Sequence, residues 1–373
     1  MRVHSLELDQ FRNYAALRFS PPGGACVFIG ENAQGKSNLL EALALLSTGK
    51  SFRAAREADL IRDGAPAAEV KAQVQTRHGT AQTACIISRV GEGARKKFFR
   101  DGRGISYGQF IGGVAAVTFM PLDLQLVGGP AALRRRLLNA SLSQSNRAYY
   151  RDLAAYAGVL AQKNAMLRAS SAPERELLAT YNEQLAESGA RIAGARAAYV
   201  RKLAAEAGAV HARWVGAAPE FIASYRPMPA YPSEAPDAIA NTLRAALAAA
   251  APIETKRRVS LVGPHRDDLA LTLGGRSLAR FGSQGQQRTA VLALKAAEYA
   301  LLHAAAGEPP ILLLDDVLSE LDAARRHAFL SSLDGFDQAF ITATELPDLP
   351  SGVIGSVVEI RAGMLLTPSL RPA

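Results

Sequence analysis

Gly30-Glu31-Asn32-Ala33-Gln34-Gly35-Lys36-Ser37 has the form G-x-x-x-x-G-K-S. It follows the apolar run Ala25-Cys26-Val27-Phe28-Ile29 and precedes Asn38–Leu46, which reads as a helix with an apolar face. A buried strand, a glycine loop and a helix are the context that a phosphate-binding loop requires. Glycines let backbone N–H groups turn toward a phosphate, and the helix N-terminus adds its positive end. Lys36 is placed to reach the β- and γ-phosphates of ATP and Ser37 to hold Mg²⁺. The expected nucleotide contacts are Gly30, Glu31, Asn32, Ala33, Gln34, Gly35, Lys36, Ser37 and Asn38. A plain glycine turn would not need Lys-Ser at its end.

The second half of such a site lies nearly 250 residues downstream. Phe281-Gly282-Ser283-Gln284-Gly285-Gln286-Gln287-Arg288 has the S-x-G-Q form of the ABC signature and precedes a helix from Thr289 to about 305. Ile311-Leu312-Leu313-Leu314-Asp315-Asp316 is a Walker B strand, apolar enough to be covered on both faces. Asp315 is the expected partner of Mg²⁺ with Ser37, and Asp316 is placed to polarise the attacking water. Ser319-Glu320-Leu321-Asp322 has the form of a D-loop. A strand at 338–342 ends on Thr342-Ala343-Thr344, where many ABC ATPases carry a histidine, and either threonine is a candidate replacement. The expected catalytic set is Lys36, Asp315, Asp316, Ser283 and Gln286. In this motif order the signature caps the nucleotide of a second subunit, so ATP joins a homodimer.

Phe11-Arg12-Asn13-Tyr14 forms a polar–aromatic turn after a first strand in which Leu6 and Leu8 alternate with polar residues and Val3 falls out of register. Arg12 is a candidate nucleotide contact, on a phosphate or the base; an aromatic hairpin tip is the alternative. Residues 70–119 read as short strands. Lys96, Lys97, Arg100 and Arg103 cluster at one turn there, a charge run that most simply discourages edge pairing. From Pro130 the pattern becomes helical, with a break at Ser170-Ser171-Ala172-Pro173. Leu178, Tyr181, Leu185, Ser188, Ile192, Ala195 and Tyr199 then step by threes and fours, the seam of an antiparallel hairpin or of an ordinary helical subdomain. Val259-Ser260-Leu261-Val262 reads as a strand before Gly263-Pro264-His265-Arg266-Asp267-Asp268.

The chain has 373 residues, a net charge of +9 and a pI near 9.7. Residues 130–260 hold 18 Lys+Arg and 10 Asp+Glu, so +8 of the +9 lies there. A basic lobe suits nucleic acid, and Arg134, Arg135 and Arg136 are the candidate DNA contacts. Cys26 and Cys85 are the two cysteines, which predicts neither a structural disulfide nor a zinc site. No stretch reads as a signal peptide or membrane span, and the expected compartment is the cytoplasm. The expected fold is α/β: an ABC/SMC-head-like P-loop ATPase lobe with a mixed sheet, residues 1–129 and 255–373, and an inserted basic helical lobe, residues 130–254.

With these motifs assembled, the chain resembles the RecF family of DNA-repair ATPases, related to SMC heads, nearly end to end. The matching segments are Phe11–Tyr14, Gly30–Asn38, Gly49–Arg53, Phe119–Leu124, Leu133–Leu138, Gly263–Asp268, Ser283–Arg288 and Leu312–Asp322. Leu122 departs from the family's glutamate and Asn139 from its aspartate; no Q-loop glutamine is identifiable near Met120-Pro121. The resemblance implies ATP-dependent dimerisation on gapped or single-strand/double-strand junction DNA and a weak DNA-stimulated ATPase. It also implies cooperation with RecO and RecR in loading RecA, and support of SOS induction. Two other readings are a transporter-type ABC subunit and a P-loop nucleotide kinase. The first places its signature closer to Walker A, and the second has no use for a signature or D-loop. A structural SMC arm would need far longer helices.

Overall fold

Period-2 alternation builds the first sheet. In the computed structural model, which describes residues 1–169, 173–216, 219–333, 335–347, 349 and 354–369, it runs β2-β1-β4-β5-β6-β7 and is antiparallel throughout. Its strands are β1 (Arg2–Phe11), β2 (Tyr14–Phe19), β4 (Ala67–Thr76), β5 (Gly79–Val90), β6 (Gly93–Arg100) and β7 (Arg103–Ile105). Leu6, Leu8, Val70, Ala72 and Val74 are buried on one face. Val3 is buried as well, because the pairing of β1 with β4 shifts register between Val3 and Ser5. One extra residue there restores the side-chain phase.

The second sheet runs β15-β14-β3-β13-β12-β8. Strands β3 (Gly24–Ile29), β8 (Ala116–Phe119), β12 (Ile311–Asp315), β13 (Gln338–Ala343) and β14 (Ile354–Arg361) are parallel, and β15 (Met364–Ser369) is an antiparallel edge. Every residue of β12 and β13 is buried, as expected of central parallel strands. Helix α1 (Lys36–Thr48) leaves β3 through the glycine loop; α2 (Tyr107–Phe110) and α9 (Ala323–Ser332) complete this part. Both sheets belong to one compact unit, Met1–Leu124 with Lys295–Ala373.

The other unit is Gln125–Leu294. It holds α3 (Ala131–Ser145), α4 (Arg147–Ala169), α5 (Arg175–Val215), α6 (Pro236–Arg257) and α7 (Leu278–Phe281). A small antiparallel sheet in the order β11-β10-β9 uses β9 (Phe221–Arg226), β10 (Asp268–Leu273) and β11 (Arg276–Ser277). The chain passes into the first unit within α8 (Gln284–Ala306). Helix α5 has 41 residues, about 60 Å of helix. Leu178, Leu185, Ser188 and Ile192 of its seam are buried. Tyr149 and Tyr156 of α4 and Ile239 and Leu243 of α6 share the core with Leu185 and Ile192. The seam therefore serves a three-helix bundle rather than a two-helix hairpin. The expected break at Ser170, Ser171 and Ala172 lies outside the described residues.

Three local readings change. Val259–Val262 is not a strand: the N–H of Leu261 bonds to the Glu254 carboxylate at 2.7 Å and that of Ser260 to Asn164 Oδ1 at 2.7 Å, so side chains take the place of a sheet ladder. Residues 255–294 pack with the helical unit, because β10 pairs along its length with β9, a strand hidden before a proline-rich stretch. Finally, the helix after the signature begins at Gln284, five residues early.

Candidate functional site

Two glycines shape the phosphate loop. A Cβ on Gly30, at φ +145°, would sit 2.5 Å from the Ile360 carbonyl oxygen, and one on Gly35, at φ +115°, 2.5 Å from Asn13 Nδ2. The loop is held from outside by polar contacts. Asn13 Nδ2 donates to the Gln34 carbonyl at 3.0 Å, Asn38 Nδ2 to Asn13 Oδ1 at 2.7 Å, and Tyr14 OH to the Gly35 carbonyl at 3.0 Å. The β14–β15 turn closes the other side, with Ala362 N–H on Gln34 Oε1 at 2.6 Å and Gly363 N–H on the Gln34 carbonyl at 3.0 Å. Helix α1 starts with no side-chain cap and no acidic residue in its first turn. Its leading N–H groups therefore keep the anion-binding capacity of a helix N-terminus.

Lys36 is buried, and its ammonium donates to the carbonyls of Gly30 at 2.5 Å and Glu31 at 2.7 Å. Burial pulls its pKa down from the usual lysine range, and Asp316 and Asp315 oppose that shift. Glu31, Asn32 and Ala33 are exposed at the loop tip. Beside the loop a cavity of about 410 Å³ is lined by Gly30, Glu31, Gln34, Thr344, Glu359 and Arg361. Larger cavities of 610 and 550 Å³ lie along α5 and β9 but have no phosphate loop.

The Walker B end is a chain of hydrogen bonds. Ser37 Oγ donates to Asp315 Oδ1 at 2.7 Å, and Thr342 Oγ1 donates to the same oxygen at 2.8 Å. Thr342 Oγ1 also accepts from Asp316 N–H at 2.9 Å, at a residue held at φ +52°. Asp316 Oδ1 receives Ser319 Oγ at 3.1 Å. Of the two threonines, Thr342 is thus occupied with the Asp315 carboxylate and the Asp316 backbone N–H, while Thr344 is exposed at the cavity beside Gly30. Thr342→Val should destabilise the fold by about 2 kcal/mol, since a buried carboxylate loses a donor. Urea denaturation checks this, and Thr342→Ser should restore most of the loss.

Arg12 is anchored inward. Its Nε and Nη2 form a bidentate pair with buried Glu41 at 2.8 Å each, and Nη1 donates to the Asp59 carbonyl at 2.7 Å. Phe11 and Tyr14 are fully buried, so their rings are core rather than a stacking platform. Glu41 also binds the Ser51 hydroxyl, and Arg53 reaches Asn38. Sequence reasoning missed Glu41, Ser51 and Arg53 as supports of the loop. The available signal was a lone carboxylate in the apolar stretch Leu39–Leu46.

In the other unit, Ser283 and Gln286 are exposed and cap α8 reciprocally: Ser283 N–H donates to Gln286 Oε1 at 2.8 Å and Gln286 N–H to Ser283 Oγ at 3.3 Å. The arginine run needs correction. Arg134 is buried, bidentate to Asp268 at 2.6 and 3.0 Å, and donates to the carbonyls of Leu126 and Gly129. Arg135 donates to the Asp267 carbonyl at 2.7 Å. Only Arg136 of the three is exposed. A helix places successive residues about 100° apart, so three adjacent arginines cannot share one face. The Gly263–Asp268 motif is structural too: burial pushes the His265 imidazole down to about 4, and its Nδ1 meets Tyr156 OH at 2.6 Å.

The family described as "RecF/RecN/SMC N terminal domain" matches residues 2–349. The chain is 42% identical over 356 residues to the DNA replication and repair protein RecF of Symbiobacterium thermophilum, covering 94% of this chain and 93% of that one. It is 33% identical over 360 residues to the protein of that name from Staphylococcus aureus strain JH9, covering 95% and 96%. A solved structure of the recombination mediator protein RecF-ATPrS in the RecFOR pathway superposes with a TM-score of 0.88 at 31% identity, covering 98% and 97%. The corresponding RecF-ATP structure gives 0.88 at 30%, covering 99% and 97%.

Proposed function

The chain belongs to the RecF family, and on that premise we propose that it is an ATP-binding protein of DNA replication and recombinational repair. The reading is carried by the uncapped N-terminus of α1 combined with the Ser37–Asp315–Thr342–Asp316 hydrogen-bond chain. Ser37 and Asp315 would hold Mg²⁺, because a hydroxyl and a carboxylate 2.7 Å apart offer the oxygen donors a hard cation takes. The metal would neutralise phosphate charge. Lys36 and the N–H groups of the loop would orient the triphosphate, and Asp316 would accept a hydrogen bond from the attacking water.

Ser283 and Gln286, exposed at the start of α8, would cap the nucleotide of a second subunit. ATP binding then closes a homodimer on gapped or junction DNA, and slow hydrolysis releases it. RecO and RecR are the proposed partners, RecA loading and SOS support the proposed outcome, and the cytoplasm the proposed site of action. Among the described residues no helix is long and apolar enough to cross a membrane.

The test is molar mass by light scattering with Mg²⁺ and either ADP or a non-hydrolysable ATP analogue, with and without gapped DNA. A monomer with ADP and a dimer with the analogue, strengthened by DNA, is the expected result. A monomer in every condition would sink the composite-site reading, and turnover stimulated by a nucleoside monophosphate would favour a kinase.

A further inference from the structure

Burial of Arg134 leaves most of the helical unit's surplus charge to other residues, and the helix registers show where part of it gathers. Helices α4 and α5 run antiparallel: Arg191 Nε meets Asp152 Oδ1 at 2.7 Å, and Arg196 Nε meets Tyr149 OH at 3.1 Å. Following that register to the end of α4 brings Arg168 level with the first turn of α5, where Arg175 stands. Helices α5 and α6 are also antiparallel, with Arg244 of α6 on Glu183 of α5 at 2.7 Å. The C-terminal turn of α6 reaches the last turns of α4 through the fully buried pair Lys163–Glu254 at 2.7 Å, and just past α6 the Ser260 N–H donates to Asn164 Oδ1 at 2.7 Å. One end of the bundle therefore collects Arg168, Arg175, Lys256, Arg257 and Arg258.

All five are exposed, and among the described residues none takes part in an ion pair. The exposed carboxylates at that end are Glu174 and Glu176. Helix polarity explains part of the pattern, since cations favour C-termini, where Arg168, Lys256 and Arg257 sit. It extends to Arg258, the C-cap of α6, although that residue holds a left-handed conformation at φ +56° that glycine or asparagine usually takes; it does not explain Arg175 at an N-terminus. Five exposed cations against two carboxylates leave this end net positive, a surface that suits a polyanion.

We infer that this end of the α4–α5–α6 bundle is a contact surface for the phosphate backbone of DNA. The inference rests on the DNA-binding reading above and adds its location. Each neutralised phosphate releases counterions, so the salt dependence of binding counts the contacts.

The test compares the full chain with Arg168→Gln/Lys256→Gln/Arg257→Gln and with the charge-retaining Arg168→Lys/Arg257→Lys. Binding to a labelled duplex with a single-stranded gap is titrated across a salt series with Mg²⁺ and the ATP analogue. The glutamine variant should lose at least about tenfold in affinity, and its log–log salt slope should flatten by about 2 to 3, at roughly 0.9 per contact. The lysine variant should keep the wild-type slope, and light scattering should show nucleotide-dependent dimerisation unchanged in both. A wild-type slope in the glutamine variant overturns this surface and leaves the DNA reading standing. A wild-type protein that binds no DNA overturns both.

Discussion

Lys36→Met should remain monomeric in light scattering with Mg²⁺ and the non-hydrolysable ATP analogue, at concentrations where the wild-type chain dimerises. Lys36 is the buried cation of the loop, and its ammonium reaches the carbonyls of Gly30 and Glu31. Methionine keeps the length and apolar stem but supplies neither charge nor donors. Removing one partner of a desolvated charge pair costs about 3 kcal/mol, roughly 100-fold in affinity. Dimerisation should fall further, because in the proposed assembly two nucleotides join two subunits and each site carries the loss. The fold should be spared: Gly35, Asn13 and Tyr14 hold the loop without Lys36. Circular dichroism and the unfolding midpoint check that. A Lys36→Met protein that dimerises normally would refute ATP as part of the interface.

Arg196→Ala should lower the stability of the helical unit by about 3–5 kcal/mol, the range for a buried ion pair with one partner removed. Arg196 and Asp267 are each 2% exposed and 2.8 Å apart. Arg196 also donates to the Pro264 carbonyl at 2.7 Å and to Asn139 Oδ1 at 2.9 Å, while Asp267 accepts from Met228 N–H at 2.9 Å and from Tyr225 OH. One guanidinium thus ties α3, α4 and α5 to the Gly263–Asp268 turn. Removing it strands a carboxylate in the core. Trp214, the lone tryptophan, lies in α5 and reports unfolding of this unit in a urea titration. Arg196→Met with Asp267→Asn should cost less than the two single changes together, because no uncompensated charge remains. Equal stability of Arg196→Ala and wild type would mean that the pair is solvated rather than buried.

Asn139 shows how a departure from the family pattern is accommodated. Its Oδ1 accepts from Arg196 and from Tyr149 OH at 2.6 Å, work an aspartate could also do. The neutral amide leaves Asp267 as the carboxylate bound to Arg196. Leu122, the other departure, is 37% exposed in a short turn, and no contact in the structure explains it.

The sequence alone determined the local chemistry. Gly30–Ser37, the run ending at Asp315 and the alternation of β1 and β4 are legible because each depends on neighbours along the chain: a glycine needed for close approach, four buried residues in a central strand, a period of two. The helical seam Leu178–Ile192 was legible for the same reason. Only the tertiary structure decided which polar side chains face a ligand and which face the core. Arg134 reads like a DNA contact until Asp268, 134 residues away, is found against it. Thr342 and Thr344 are indistinguishable as letters; Asp315, across a strand pair, takes the first and leaves the second exposed. Buried charges require partners, and nothing local names a partner brought in by the fold. The basic end of the bundle was hidden for the same reason, because its five cations come from segments nearly ninety residues apart and meet only when three helices set their register.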